Sequence, residues 1–232
     1  MRLHRFFIGH PIDPSKVISF SDPALVHQLR RVFRFHEGDK AIFFDGAGDD
    51  HVSEIVSMGK DDLSFRVLET RAVKPHSGRK ISLAVSLIKK DNFEWVIQKG
   101  TELGVSEFIP IVSDRSEKKG FNGERARKIM IEACEQSGRA DVPSIREPMS
   151  LNDLLASEKR GMVAFHTEGA DLSIEDISRT GDVVACIGPE GGWSADETEA
   201  FKKKGAAMVR LDAPILRAET AAIAVATLLL LG

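Results

Sequence analysis

The apolar positions of this chain change their rhythm once. Over residues 40–69, "KAIFFDGAGDDHVSEIVSMGKDDLSFRVLE", short apolar runs are broken at Asp45-Gly46, Gly48-Asp49 and Gly59-Lys60. Such pairs make tight turns between strands. The pattern predicts a small β-rich unit, a barrel, over residues 1–73. The polar stretch "RAVKPHSGR", residues 71–79, with Pro75 and Gly78, ends it. From residue 74 to 232 strand-length apolar runs alternate with helical patterns. The strands are "ISLAVSLI", "EFIPIV", "MVAFH", "DVVACIG" and "AAMVRL". Between them, "DNFEWVIQKGTELG" reads as a helix opened by a capping pair, Asp91 and Glu94, and closed by Gly104. "ERARKIMIEACEQSG" ends at Gly138, and "LNDLLASE", "SADETEAFKKKG" and "AETAAIAVATLLLL" complete the set. Strands apolar on both faces, alternating with helices, predict an α/β fold with a covered parallel sheet. The last helix is apolar almost all round, which puts it in the core or at a subunit interface.

Composition excludes several classes. The chain is 42% hydrophobic and 29% charged, enough to bury its own core. A net charge of −3 gives no global cationic footprint, so any RNA contact must come from local patches. Cys134 and Cys186 lie in no metal-ligand spacing and read as reduced core residues; no metal site is expected. The apolar run in "MRLHRFFIGHPID" is too short for a signal peptide. The C-terminal run falls short of the ~20 residues of a membrane span. A soluble, cytoplasmic protein with no membrane partner is expected.

Chemistry enters at "CIGPEGGWSADETEAF", residues 186–201. A glycine-rich turn between strand and helix commonly binds phosphate. This one lacks the G-x-x-x-x-G-K-[ST] lysine and the G-x-G-x-x-G spacing. Glu190 at its centre would repel a pyrophosphate by a few kcal/mol, roughly. Ser194 and Glu197 form an S-x-x-E capping box that occupies the helix amides. The turn therefore suits a neutral or cationic ligand held by main-chain groups, and S-adenosylmethionine fits. The other reading is a tight turn that uses two glycines for positive φ.

A second constellation, "LDAPILRAETAAIA", residues 211–224, sets Arg217 and Glu219 at a helix entry. A cation there is unfavourable by roughly 0.3–1 kcal/mol, so it needs an anionic substrate, or an ion pair with Glu219 or Glu190. Two further stretches are "QKGTELGVSEFIPIVSDRSE", residues 98–117, and "EACEQSGRADVPSI", residues 132–145. In the latter, Gln136, Ser137 and Arg139 sit where side chains bind phosphates or base edges, or where Gly138 simply caps the helix.

Together these segments resemble RNA methyltransferases of the SPOUT class, and within it the ribosomal RNA small subunit methyltransferase E family. "HQLRRVFRFHEGD", residues 27–39, is similar to that family's PUA-like barrel signature. Departures are Gly100 in place of alanine, Phe33 in place of leucine, and Asp212-Ala213 where a glycine usually follows the strand. The resemblance implies a PUA-like β-barrel (1–73) followed by a SPOUT α/β domain (74–232) with a deep trefoil knot, an exception to unknotted chains. It implies a homodimer, S-adenosylmethionine as cofactor, and N3-methylation of uridine in 16S rRNA of the small ribosomal subunit. The implied cofactor residues are His166, Thr167, Glu168, Ile187, Gly188, Pro189, Glu190, Gly191, Gly192, Leu211, Ile215, Leu216, Arg217 and Ala218.

Methylating uracil N3 requires loss of its proton, with charge spreading to O2 and O4. A fixed cation stabilises that charge, and Arg217 is the candidate. Glu219, Glu190 or water could take the proton. N3 lies on the Watson–Crick edge, so the target base must be unpaired. Arg30, Arg31 and Arg34 form a local basic face; Lys89, Lys90, Arg115, Gln136 and Arg139 are further RNA-binding candidates. His166 reads as a pocket wall, and Trp95 and Trp193 as packing residues. Other readings are a non-catalytic RNA-binding assembly factor, a SPOUT enzyme acting on tRNA, or an α/β nucleotide-binding enzyme.

Overall fold

The computed structural model describes residues 3–74, 78–116, 121–171 and 181–231; Pro75 of the anticipated linker lies outside them. The chain forms two compact units, Met1–Lys74 with Cys134–Val142, and Pro75–Ala133 with Pro143–Gly232.

In the first unit, β1 (Arg5–Phe7), β2 (Val17–Ser21), β3 (Lys40–Phe44), β4 (Asp49–Met58) and β5 (Asp62–Ala72) pair in the order β1-β3-β4-β5-β2. Turns at the anticipated Gly pairs separate β3, β4 and β5, and Gly46 and Gly48 take φ of +90° and +107°. The two edge strands do not pair among the described residues, so the β-rich unit expected as a barrel forms a half-barrel sheet. Phe6 of β1 and Phe20 of β2 nevertheless share one apolar cluster with Phe43, Ile55 and Phe65, which curls the sheet. Helix α1 (Pro23–His27), capped by the Asp22 carboxylate, and a π-helical turn (Gln28–Val32) close it with Leu25, Val26 and Leu29. Phe33 stacks on Phe35 and meets Phe6 edge-on.

Segment 134–142 belongs to this unit and is held by polar contacts of backbone and side chain. Phe7 N–H donates to Glu135 Oε1 (2.9 Å), Gly48 N–H to Ala140 C=O (3.3 Å), and Arg5 to Arg139 C=O (2.9 Å). Arg5 also pairs with buried Asp50 and lies over the Phe44 ring. Burial raises the Asp50 carboxyl despite that cation. The hydrophobic pattern carried no sign of this attachment, because polar groups make it.

In the second unit, β6 (Ile81–Ser86), β7 (Glu107–Val112), β8 (Ser144–Ile145), β9 (Met149–Ser150), β10 (Gly161–Asp171), β11 (Val183–Ile187) and β12 (Ala207–Arg210) form a parallel sheet. Its order is β12-β10-β11-β6-β7-β8, with β9 also on β7. Every residue of β6 and β11 is buried, as strands covered on both faces require. One face packs under α4 (Leu151–Ser157) and α5 (Ala195–Lys204), through Leu154, Leu155 and Phe201 against Ala84, Ile109, Ala164 and Cys186. Helix α6 (Ala218–Leu231) packs on β6 and β11 and against α2 (Lys90–Leu103), and neither helix contributes to that cluster.

Helix α3 (Gly123–Ser137) ends as expected at Gly138, and α2 at left-handed Gly104. The start of α2 differs from expectation. Its N-cap is Lys89, without a side-chain hydrogen bond. Asp91 lies inside the first turn, and Glu94 pairs with Lys90 and Arg125 instead of reaching back to a cap. Gly100 has a packing reason: a Cβ there would come within 2.8 Å of the Phe108 ring. Both cysteines are free and buried; burial pushes the Cys134 thiol up to about 12 and raises Cys186 as well.

The N-terminal edge of the sheet carries a closed ionic network. Arg160 bonds Glu107 (2.8 Å), Glu158 (2.7 Å) and the Ser82 hydroxyl (2.8 Å), while Arg146 bonds Glu107 (2.8 Å) and Glu158 (3.3 Å). Hydrogen bonds from Arg160 hold Glu158 at about 2, below its usual 4.5. Burial alone would raise Glu107, but bonds from Arg146, Arg160 and Ser82 outweigh it and lower the carboxyl. No helix among the described residues is long and apolar enough to cross a membrane.

Candidate cofactor site

Three connections at the C-terminal edge of the sheet and a bulge within β10 surround a cavity of about 1170 Å³. In parallel sheets ligands bind at that edge, where the strand order reverses. Here β11 and β7 flank β6, so the order reverses beside the cavity loops.

The first wall comes from β10. Phe165 and Ala170 both face Val209 of β12, so the residues between them leave the ladder as a bulge. His166, Thr167 and Glu168 line the cavity from this bulge. Glu168 N–H donates to His166 Nδ1 (3.0 Å); a neutral ring accepting at Nδ1 carries its proton on Nε2. Gly169 closes the excursion directly on Val209 backbone, where a Cβ would meet the carbonyl carbon at 2.4 Å. A glycine inside a strand pattern signals such an approach, and this one passed unread.

The second wall is the glycine turn after β11. Gly192 N–H donates to Pro189 C=O (2.8 Å), and Gly192 is left-handed at φ +67°. Gly188 lies on the Trp193 indole, with room for no Cβ beyond 3.2 Å from the ring. Trp193 is buried, donates Nε1–H to Phe165 C=O (3.1 Å) and meets Phe201 edge-on, so it packs as expected. The capping box forms: Ser194 Oγ accepts from Glu197 N–H, and Glu197 Oε2 from Ser194 N–H (2.8 Å). Glu190 is exposed and makes no ion pair among the described residues.

The third wall is the loop between β12 and α6. Leu211, Ile215, Leu216, Arg217 and Ala218 line the cavity, with Asp212, Ala213 and Pro214. Arg217 C=O accepts from Ala221 N–H (2.8 Å) and so caps the helix start. Its side chain is exposed and pairs with neither Glu190 nor Glu219. Glu219 lies in the first helical turn, with Oε2 buried and without a partner among the described residues. The fourth wall, the connection after β7, adds Arg115, whose Nη1 donates to Gly191 C=O (2.6 Å).

All fourteen anticipated cofactor residues therefore line one cavity, while Glu219 stands beside it. Phe165, Thr198, Lys202 and Arg210 line it too and were not anticipated. Thr198 and Lys202 are one helical turn apart on α5, a spacing that sets them on one face. The lining fits a nucleoside bearing both charge signs. The glycine turn offers backbone without side chains, the capping box occupies two of the amides at the start of α5, and Glu190 and Arg217 keep charges of opposite sign with no ion pair among the described residues.

The model for the RNA methyltransferase domain matches residues 75–230. The ribosomal RNA small subunit methyltransferase E of Rickettsia conorii is 32% identical, covering 100% of this chain and 97% of the relative. The chain belongs to the ribosomal RNA small subunit methyltransferase E family. The Bacillus subtilis member of that family is 33% identical over 84% of this chain and 83% of its own. Among solved structures, a ribosomal RNA small subunit methyltransferase E from Neisseria gonorrhoeae bound to S-adenosyl methionine has a TM-score of 0.89. It is 27% identical and covers 97% of this chain and 96% of that one. A Legionella pneumophila methyltransferase with bound cofactor SAM also superposes at 0.89, with 27% identity, 99% of this chain and 97% of that one.

For a member of the methyltransferase E family, the disposition of basic side chains matters next. In the first unit Arg30, Arg31 and Arg34 are exposed within and just after the π-helical turn, Arg30 bonding Gly59 C=O (3.0 Å) and Arg34 taking a left-handed φ of 58°. Gln136 is exposed in the same unit. Arg139 is not an open cation: its side chain is 11% exposed and doubly bonded to Asp141 (2.6 and 3.0 Å). In the second unit Lys89 and Lys90 are exposed at the start of α2, and Arg115 belongs to the cavity.

Proposed function

We propose that this protein transfers a methyl group from S-adenosylmethionine to N3 of a uridine in the 16S rRNA of the small ribosomal subunit. The observation that carries the reading is the cavity walled by the glycine turn, with an exposed arginine, Arg217, at its helix entry. In this reading Ile187–Gly192, Leu211, Ile215, Leu216 and Ala218 hold the cofactor mainly through backbone, and His166–Glu168 wall it in. Bound there, the cofactor supplies an electrophilic methyl on a sulfonium. Glu190 complements that positive charge. Arg217 meets the negative charge on uracil O2 and O4 as N3 loses its proton; a guanidinium stays charged and spans two acceptors. Glu219, Glu190 or a water receives that proton. Much of the acceleration comes from holding the base and methyl donor in line.

The rest of the reading follows the family. Residues 74–232 form a SPOUT domain with a deep trefoil knot and pair as a homodimer. Residues 1–73 form a PUA-like unit that holds RNA through Arg30, Arg31 and Arg34, with Lys89, Lys90 and Gln136 as further contacts. The protein works in the cytoplasm.

The test is transfer from labelled S-adenosylmethionine to small subunits lacking N3-methyluridine, with free rRNA and tRNA alongside and nucleoside mass spectrometry of the products. N3-methyluridine on 16S rRNA supports the proposal. A methylated tRNA nucleoside alone would replace the substrate. A chain that binds RNA but no cofactor would be an assembly factor.

A further inference from the structure

We infer that Arg115 is a positioning residue that holds the cofactor turn in its binding shape through Gly191. The inference rests on the proposed S-adenosylmethionine site.

The stretch Ser113-Asp114-Arg115-Ser116 follows β7 as a closed turn, with Ser116 N–H on Ser113 C=O (3.2 Å) and Ser113 N–H on the Ser116 hydroxyl (3.0 Å). Three bonds fasten it to the connection after β11. Asp114 N–H donates to Glu197 Oε1 (3.0 Å), and the Ser194 hydroxyl to the Asp114 carboxylate (2.5 Å). Those two fix where α5 begins. Only the third, from Arg115 Nη1 to Gly191 C=O, reaches the glycine turn itself (2.6 Å).

That third bond locks a whole peptide plane. The Gly191 carbonyl and the Gly192 N–H belong to one planar unit. Arg115 holds its oxygen, and Pro189 C=O holds its N–H at 2.8 Å. Glycine flanks the plane on both sides, so the backbone there has the widest freedom of any residue pair. Without Arg115 the plane is held at one end only. The arm also packs on the turn: a Cβ on Gly191 would meet Arg115 Cδ at 3.2 Å and Cβ at 3.4 Å. Gly191 is side-chain-free partly because this arm lies over it, which couples the two positions. A turn fixed in advance spares the ligand the cost of ordering it.

The experiment is calorimetric titration of S-adenosylmethionine into the full-length wild type, R115A, R115K, G191A and R115A/G191A, with melting temperature and steady-state kinetics on each. R115A is expected to bind about tenfold more weakly, with the melting temperature within a few degrees, KM for the cofactor raised and kcat at saturation kept. R115K, which still reaches a carbonyl with one donor, recovers most of the affinity. G191A weakens binding in the wild-type background but adds little to R115A, because the arm it strikes is gone. Wild-type affinity in R115A, or strict additivity of the two changes, overturns the inference. So does an R115A variant that loses RNA affinity alone, which would make Arg115 an RNA contact. A wild-type chain that binds no cofactor is a different failure, that of the function proposed above.

Discussion

At the N-terminal edge of the parallel sheet, Glu107, Arg146, Glu158 and Arg160 satisfy one another; at the C-terminal edge, Glu190, Arg217 and Glu219 do not. The same seven strands carry both sets. At the first edge each charge has at least two hydrogen-bonding partners, and Glu158 is only 6% exposed. At the second, main-chain turns stand in for paired side chains, and the charges remain available to a ligand. Paired charges there would have to be separated before substrate could use them, so the open arrangement is the one compatible with catalysis.

The sharpest way to break this comparison is at Arg217. R217A should lower the methyl-transfer rate by about 10²–10³-fold, the usual loss for one group aimed at developing charge, while thermal stability stays within about 0.5 kcal/mol of wild type. Labelled-methyl incorporation and a melting curve measure the two. A large fall in stability would mean that Arg217 is a structural cation like those at the opposite edge.

The mirror-image change is E158Q. It leaves Arg146 and Arg160 facing a neutral amide in a largely buried site, and breaking one member of such a set costs about 3 kcal/mol. Cofactor affinity, read by calorimetry, should not move. The same carboxylate predicts a pH dependence. Its folded value, about 2, lies below the ordinary 4.5, so its contribution is fully present above 4.5. As pH falls from 4.5 toward 2 the unfolded chain binds the proton first, and the contribution is lost. Denaturant titrations across that range should show stability falling more steeply for wild type than for E158Q. Equal slopes would remove Glu158 from the acid-sensitive set.

The two edges were unequally legible in the sequence. Turn chemistry could be read wherever one residue decides the backbone, as at Gly104, Gly138 and the Ser194–Glu197 box. The glycine turn and Arg217 were visible because a glutamate in a phosphate-like loop and a cation at a helix start both go against local preference. The ionic network was invisible: Ser82, Glu107, Arg146, Glu158 and Arg160 come from separate elements with no shared spacing. Strands β1 and β2 were missed because one has three residues and the other no buried one. The Asp91–Glu94 pair misled because the capping pattern begins two residues after the N-cap, Lys89, already within the first turn of the helix. The bulge at His166–Gly169 depends on the partner strand, so only Gly169 hinted at it.

The smallest expected effect lies where the C-terminal edge does use pairing. Ser194 accepts from Glu197 N–H (3.2 Å) and donates to Asp114 (2.5 Å), holding the start of α5 at the rim of the cavity. Replacing an N-cap serine by alanine costs about 1 kcal/mol. S194A should therefore lower stability by that amount, well short of E158Q, with methyl transfer at saturating cofactor near wild type. The reason is that Arg115 still holds the Gly191 carbonyl, so the turn keeps its shape although the helix start frays. Chemical denaturation and steady-state kinetics of S194A beside R115A would separate the two. If S194A raised the cofactor KM as much as R115A, the cap and the turn would be one mechanical unit, and the division between stabilising and working groups would run through α5 rather than between the edges of the sheet.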